Sequence, residues 1–192
     1  MLVEDPIQSE EDSVHLPNEP FEDGYVQVYT GNGKGKTTAA IGLAVRAMGA
    51  GLPVFIGQFI KQGAYSEIKA LRRFNDLIHC CQFGRGCWLR GKPSTTDREL
   101  AAFAMGTIRD VLIENTYRVV ILDEILTAQF FGLVDEQAIL ELIDLRPPSV
   151  ELVLTGRYAS DAIINAADLV SEMKEIKHYY QAGVMARLGI ES

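Results

Sequence analysis

Three glycines fall within five residues at 31–35 (GNGKG), and Lys36, Thr37 and Thr38 follow at once. Glycine lets successive backbone N–H groups turn inward, where a Cβ would block them, and a helix that starts behind such a turn adds roughly +0.5 of an elementary charge facing an anion. Gly31, Asn32, Gly33, Lys34 and Gly35 therefore make a candidate phosphate cradle. Lys36 can reach a terminal phosphate, and the Thr37 hydroxyl can ligate a Mg2+ ion that bridges phosphate oxygens. Farther along, Asp123 and Glu124 follow the apolar run VVIL. One carboxylate there can hold Mg2+ directly and the other through water, opposing a triphosphate charge that approaches about −4. Arg157, in LTGRY, has a planar head suited to phosphate. Each of these also has a plainer reading: a turn joining strand to helix, an acidic pair capping the next helix, a solvent-facing arginine.

These residues need elements to position them. Residues 25–29 alternate β-prone side chains and residues 36–48 are apolar and alanine-rich, so strand, glycine loop and helix follow without a gap. Further strands are expected at 53–59, 78–83, 117–123, 150–154 and 169–173. Helices are expected at 66–74, from a cap at Thr95 or Thr96 to about 115, at 125–131, at 135–145, and from a cap at Ser160 or Asp161 to about 167. Strands alternating with helices predict an α/β fold with a mostly parallel sheet of about six strands. In such sheets ligands sit beyond the carboxyl ends of the strands. Besides the loop, that edge should gather Gln58, Lys61, residues 85–88, Asp123, Glu124 and residues 155–157.

The usual phosphate-loop spacing places a glycine five residues before Gly35, yet that position is Thr30. A tighter loop than that of an ordinary ATPase is the expectation. Arg46 lies inside the first helix and reads, from spacing alone, as a surface or ion-pairing residue. Trp88, the only tryptophan, sits in GRGCWLRGKP, a loop rich in glycine, where it can serve as a flat apolar wall or as a structural residue. His178 has no cysteine or histidine at ligand spacing and reads as a local hydrogen-bonding residue. Cys80, Cys81 and Cys87 match no zinc spacing and read as reduced structural thiols.

The net charge of −8 resides entirely in residues 1–24, which hold eight acidic and no basic residues besides a histidine; acids and bases balance over the rest. Residues 1–24 are expected to form a solvated, disordered acidic tail, with Val14, Leu16 and Phe21 able to dock part of it, and residues 25–192 a single domain. A neutral body with no basic stripe argues against nucleic acid as the main partner. No membrane span or signal peptide is apparent, so the expected setting is cytoplasmic.

Beyond this point the residues imply a Mg-nucleotide-binding protein and leave its reaction open. Several stretches together, TGNGKGKTTAAIGLAVRAMG, QFIKQG, VVILDEI, VELVLTGR and AADLVSEMKEIKHYYQAGVMARLGIE, resemble the P-loop ATP:corrinoid (cob(I)alamin) adenosyltransferases, the CobA/CobO/BtuR family. The resemblance runs from about residue 25 to residue 191. It implies that Co(I) of a reduced corrinoid, cobalamin or cobyrinic acid a,c-diamide, attacks the 5′ carbon of ATP and displaces triphosphate, with the nucleotide reversed along the loop. Carried over, it implies that residues 31–38 bind phosphate with Lys36 as the principal cation and that Thr37 and Glu124 hold Mg2+ beside Asp123. Arg46 and Arg157 would touch phosphate, and Trp88 would pack beneath the corrin ring and keep a lower ligand off cobalt. Gly86 and Tyr179 depart from residues common in the family near that lower face. A homodimer and an electron donor such as a flavoprotein reductase are also implied. An ordinary P-loop ATPase or small-molecule kinase, and a non-catalytic corrinoid escort, are the alternatives.

Overall fold

The computed structural model describes residues 21–63, 65–85 and 93–191. Trp88, Gly86, Cys87 and the first twenty residues lie outside the described residues. Six strands, β1 (Val26–Thr30), β2 (Val54–Gln58), β3 (Ile78–Gln82), β4 (Val119–Asp123), β5 (Glu151–Thr155) and β6 (Leu169–Glu172), form one sheet in the order β3-β2-β4-β5-β1-β6. Every pairing is parallel, with Gln58 level with Asp123 and Tyr29 level with Thr155. The register therefore brings the carboxyl ends of β1, β2, β4 and β5 to one edge. The helices are α1 (Lys36–Gly49), α2 (Ser66–Leu71), α3 (Thr95–Glu114), α4 (Ile125–Phe130), α5 (Glu136–Leu145) and α6 (Asp161–Ala166).

Alternation along the buried strands sorts the core into two layers. Val120 and Leu122 join α3, α5 and α6 on one face of the sheet, whereas Val119 and Ile121 join α1 on the other. The α1 contact is made by Ala40, Ala44 and Ala47, an i, i+4, i+7 stripe of small side chains that seats the helix close to the strands. On α3, Ala101, Ala104, Ile108 and Leu112 do the same with larger side chains.

Expected elements are all present, with shifted ends. The helix expected over 66–74 stops at Leu71 and finishes as a 3-10 turn over Arg72–Phe74. Neither Thr95 nor Thr96 caps α3. Ser94 does so: its Oγ accepts from the Asp97 N–H at 3.3 Å, and the Asp97 carboxylate accepts from the Ser94 N–H at 2.8 Å. Such a box satisfies two end groups reciprocally, which Thr95, followed three residues on by Arg98, could not do.

Residues 21–24, expected to belong to the tail, pack on the domain. Phe21 packs against the α1-side core with the Arg118 guanidinium 4.8 Å above its ring, and the Gly24 N–H donates to the Pro148 carbonyl at 2.7 Å. This docking involves Arg118, Arg146 and Pro148, at the amino ends of β4 and β5, opposite the edge where ligands are expected.

Candidate nucleotide site

Thr30 is the last residue of β1, paired with Glu172 of β6, and its carbonyl accepts from the Met173 N–H at 2.8 Å. That pairing explains the displaced glycine, because the strand does not end until the position where a first loop glycine is ordinarily placed. The turn starts at Gly31, with φ at +97°, and Gly35 precedes α1 with φ at +122°. The loop is pressed onto the segment that follows β6. A Cβ at Gly31 would stand 2.5 Å from the Met173 carbonyl oxygen and one at Gly33 2.7 Å from the same atom, while the Gly33 N–H donates to it at 2.7 Å. Glycine is thus required here by a neighbouring backbone as well as by any anion.

Lys36 is buried and turns back over this loop, its Nζ donating to the carbonyls of Gly31 at 2.7 Å and Gly33 at 2.8 Å. Its pKa is lowered from the usual lysine value, first by burial and then by the positive charges of Arg157 and Lys61, against the pull of Glu124 and Asp123. Thr37 and the exposed Thr38 occupy the first turn of α1.

Asp123 is the hub of the edge. It is almost fully buried, and each of its oxygens has two partners: Oδ1 accepts from Thr37 Oγ1 at 2.8 Å and Thr155 Oγ1 at 2.7 Å, Oδ2 from Lys61 Nζ at 2.8 Å and Gln58 Nε2 at 3.1 Å. Burial alone would raise its pKa, but the Lys61 ammonium and the hydroxyls bring it below the usual carboxylate value. The same contact reverses the effect of burial on Lys61, whose pKa is raised. Gln58 is held in turn by Gln82, whose Nε2 donates to its Oε1 at 2.9 Å.

Glu124 follows with a left-handed backbone, φ +63°, and heads α4. Its N–H donates to Thr155 Oγ1 at 3.0 Å, and its Oε2 accepts from Thr127 Oγ1 at 2.5 Å. Thr127 Oγ1 also accepts from the Arg157 N–H at 3.0 Å, tying the turn after β5 to the start of α4. Gly156, φ +143°, is needed at that crossing, since a Cβ would lie 2.7 Å from the Thr127 nitrogen. The Arg157 side chain is exposed and near enough to Lys36 to act on its charge.

Lys36, Thr37, Asp123, Glu124 and Arg157 thus converge on one edge, together with Gln58, Lys61 and Thr155. Lys34 reaches away, its Nζ donating to the Ile190 carbonyl at 3.0 Å. Asn32 lines a shallow groove with Glu172, Lys174, Glu175 and Ile176. Arg46 is not brought to the cluster. It is exposed in the last turn of α1, and ten residues of helix put its Cα about 15 Å beyond Lys36 along the axis. His178 accepts from the Tyr180 N–H through Nδ1 at 3.1 Å, a local turn contact, and Tyr179 packs under the Arg187 guanidinium with its hydroxyl on Glu191. Cys80 is a free thiol whose pKa burial pushes up to about 11, so it stays protonated. Thr127 and the Phe130–Tyr158 stack, with ring centroids 4.0 Å apart, were not anticipated from sequence. Thr127 has no local signature, whereas the Gly-Arg-Tyr turn that puts Tyr158 beside Arg157 does.

The oxygens of Thr37, Asp123 and Glu124 are hard donors, and Mg2+ takes one or two carboxylates and completes its shell with phosphates and water. A cation already stands against two of these groups, since Lys61 Nζ lies 2.9 Å from Thr37 Oγ1 and 2.8 Å from Asp123. The residues present therefore fit the ion.

Residues 22–192 match the family model described as ATP:corrinoid adenosyltransferase BtuR/CobO/CobP. The chain belongs to this family. A corrinoid adenosyltransferase of Pseudomonas aeruginosa is 35% identical over 171 residues, covering 88% of this chain and 84% of that one. The corrinoid adenosyltransferase CobA of Salmonella typhimurium is 33% identical over 88% of this chain and 86% of its own. The resemblance read from the motifs is thereby confirmed, and with it adenosyltransferase activity in cobalamin metabolism, in which ATP and a corrinoid are the substrates. The ATPase, kinase and escort readings are not favoured. In fold alone, the chain is similar to the KaiC-like protein PH0186 of Pyrococcus horikoshii OT3, with a TM-score of 0.53, 14% identity, and coverage of 81% and 74% of the two chains. Among the described residues no helix is long and apolar enough to cross a membrane.

Proposed function

We infer that this adenosyltransferase binds ATP reversed along the loop of residues 31–38, so that the ribose C5′ faces the corrinoid. The observation that carries this reading is the shortened turn. With Thr30 held in β1 and Gly31 and Gly33 pressed on Met173, the loop is closed at the end where an ordinary P-loop begins. Cobalt(I) gives its electron pair to C5′, the C5′–O bond breaks with its pair on oxygen, and triphosphate leaves. The metal becomes formally Co(III) as the Co–C bond forms.

Thr37 and Glu124, with Asp123 beside them, would hold a Mg2+ ion, which offsets the charge of the leaving triphosphate. Lys36 exchanges its carbonyl partners for phosphate oxygens, a charge-assisted contact stronger than the neutral ones it leaves. Arg157 adds a second cation at the mouth, and Thr38 a hydroxyl. Thr37 and Thr155 hold the buried Asp123 in place throughout, so little reorganisation is needed as charge develops. The exposed Phe130–Tyr158 stack beside Arg157 supports a planar substrate meeting the loop there. For Trp88 the reading remains a wall beneath the corrin ring. Arg46 enters only if a second protomer brings phosphate to the far end of α1.

The reaction consumes Co(I), so an external reductant, a flavoprotein in our reading, must supply electrons, and a cytoplasmic setting provides both it and ATP. A homodimer is supported by the apolar side chains left in solvent after β6, among them Ile176 at 90% and Leu188 at 83% exposure.

Incubation with MgATP and chemically reduced corrinoid tests the proposal. Triphosphate and a photolabile adenosylated corrinoid are expected in equal amounts, and corrinoid binding should quench the fluorescence of the single tryptophan. ADP and phosphate as products would reject the reversed nucleotide, and unquenched fluorescence would remove Trp88 from the pocket.

A further inference from the structure

Lys61 is given no role by the phosphate-loop spacing, yet it makes the shortest ion pair of the site. Its Nζ lies 2.8 Å from Asp123 Oδ2, 2.9 Å from Thr37 Oγ1 and 4.0 Å from Glu124 Oε1. These three residues are the ones assigned above to a divalent cation. An ammonium and a divalent ion cannot both lie against the same oxygens, because at about 3 Å their repulsion would exceed the attraction of one shared carboxylate. When the metal binds, Lys61 has to leave.

The structure also indicates where it can go. The side chain is 22% exposed, so one flank opens on the edge where the loop presents Lys36 and Arg157. It is carried by a short turn after β2 that includes left-handed Ile60, φ +64°, and Gly63, φ +147°, and this turn is anchored by its backbone, the Gly84 N–H donating to the Lys61 carbonyl at 3.1 Å. A long side chain on a fixed backbone can swing without moving the fold. The nearest ligand able to stabilise it is the triphosphate that arrives with the metal.

Resting on the MgATP reading above, we propose that Lys61 is an exchangeable cation: the divalent ion takes its place against Thr37 and Asp123, and the displaced ammonium becomes a phosphate-binding group beside Lys36. Metal and nucleotide then bind together more readily than either binds alone. Free metal must evict Lys61 with nothing to receive it, whereas metal with triphosphate supplies the receiver.

Manganese(II), followed by its EPR signal, serves as the probe. Without nucleotide, Lys61→Met is expected to bind Mn2+ at least tenfold more tightly than the parent protein. With ATP present and corrinoid absent, the order should reverse, Mn-ATP binding at least fivefold more weakly to Lys61→Met. Lys61→Arg keeps a charge opposite Asp123, so its fold is protected if the methionine variant fails; it should exclude free Mn2+ as the parent does. Equal affinity of the parent and Lys61→Met for free Mn2+, or tight Mn2+ binding by Lys61→Arg, would overturn the exchange while leaving the MgATP reading intact. Failure of the parent to bind Mn-ATP at all would overturn both.

Discussion

Two polar clusters cross the sheet at its opposite ends, and they are built on different terms. At the carboxyl end, Asp123 is held by side chains from α1, β2, β5 and the turn after β2. At the amino end, Arg146 Nη1 donates to the carbonyls of Gly24, Pro147, Pro148 and Val150, and Arg118 donates to the Phe21 carbonyl. The first cluster surrounds one charge with an opposite charge and three neutral groups, all on rotatable side chains. The second pairs charge with neutral backbone, and a backbone cannot turn away. Among the described residues it even leaves Arg118 Nε and Arg146 Nε buried without a partner, a cost accepted by a region that only has to stay put. Polar burial thus serves a replaceable arrangement at one end and a permanent clasp at the other.

That contrast can be broken most forcefully at Lys36. Lys36→Ala should lower adenosyl transfer by about 10²–10³-fold, the usual loss for one preorganised charge-stabilising donor, with the urea midpoint nearly unchanged. A loss under tenfold in triphosphate release would show that the loop does not carry the phosphate. At the clasp the expectation is opposite. Arg146→Ala should cost about 2 kcal/mol of unfolding free energy, since several charge-assisted bonds to part-buried carbonyls are lost, while the affinity for MgATP stays within twofold. Weakened nucleotide binding at unchanged stability would mean that the two ends communicate. The smallest effect concerns the α3 cap. Hydrogen bonds from Arg85 and Ser94 hold the Asp97 pKa at about 2, against an ordinary value of 3.8. A depressed folded-state pKa gives stability that is full above the ordinary value and lost as pH falls towards 2. Asp97→Asn should therefore be less stable than the parent at neutral pH and converge with it in acid, as read by thermal melts from pH 7 to pH 2.

Most of the scaffold was legible in the sequence because its signals are local: alternation in the strands, an alanine stripe in α1, apolar runs ending in Asp123. That the glycine loop, Lys36, Thr37 and the acidic pair would share one edge was legible because glycine spacing and the acidic pair are chemically restrictive. What escaped depended on pairing across long separations. Nothing near Thr30 announces that Glu172 extends β1 by one residue, and nothing near Thr127 announces that it joins Glu124 to the Arg157 backbone. Arg46 illustrates the converse. Its position in the helix already suggested a surface residue, the family suggested phosphate, and the structure places it in solvent far down α1. Ser94 could not be told from Thr96 as the α3 cap, because each has an acid three residues on, Asp97 and Glu99.

The neighbours of β1 have a consequence for how the protein is made. Of the six strands described, β1 is made first yet pairs only with β5 and β6, the last two of the six, and the loop it leads into rests on Met173. Until those two strands and Met173 are translated, β1 has no ladder and the glycines have no floor. The nascent chain must then keep β1 unpaired until β5 and β6 have been made, and the loop takes its shape only after that.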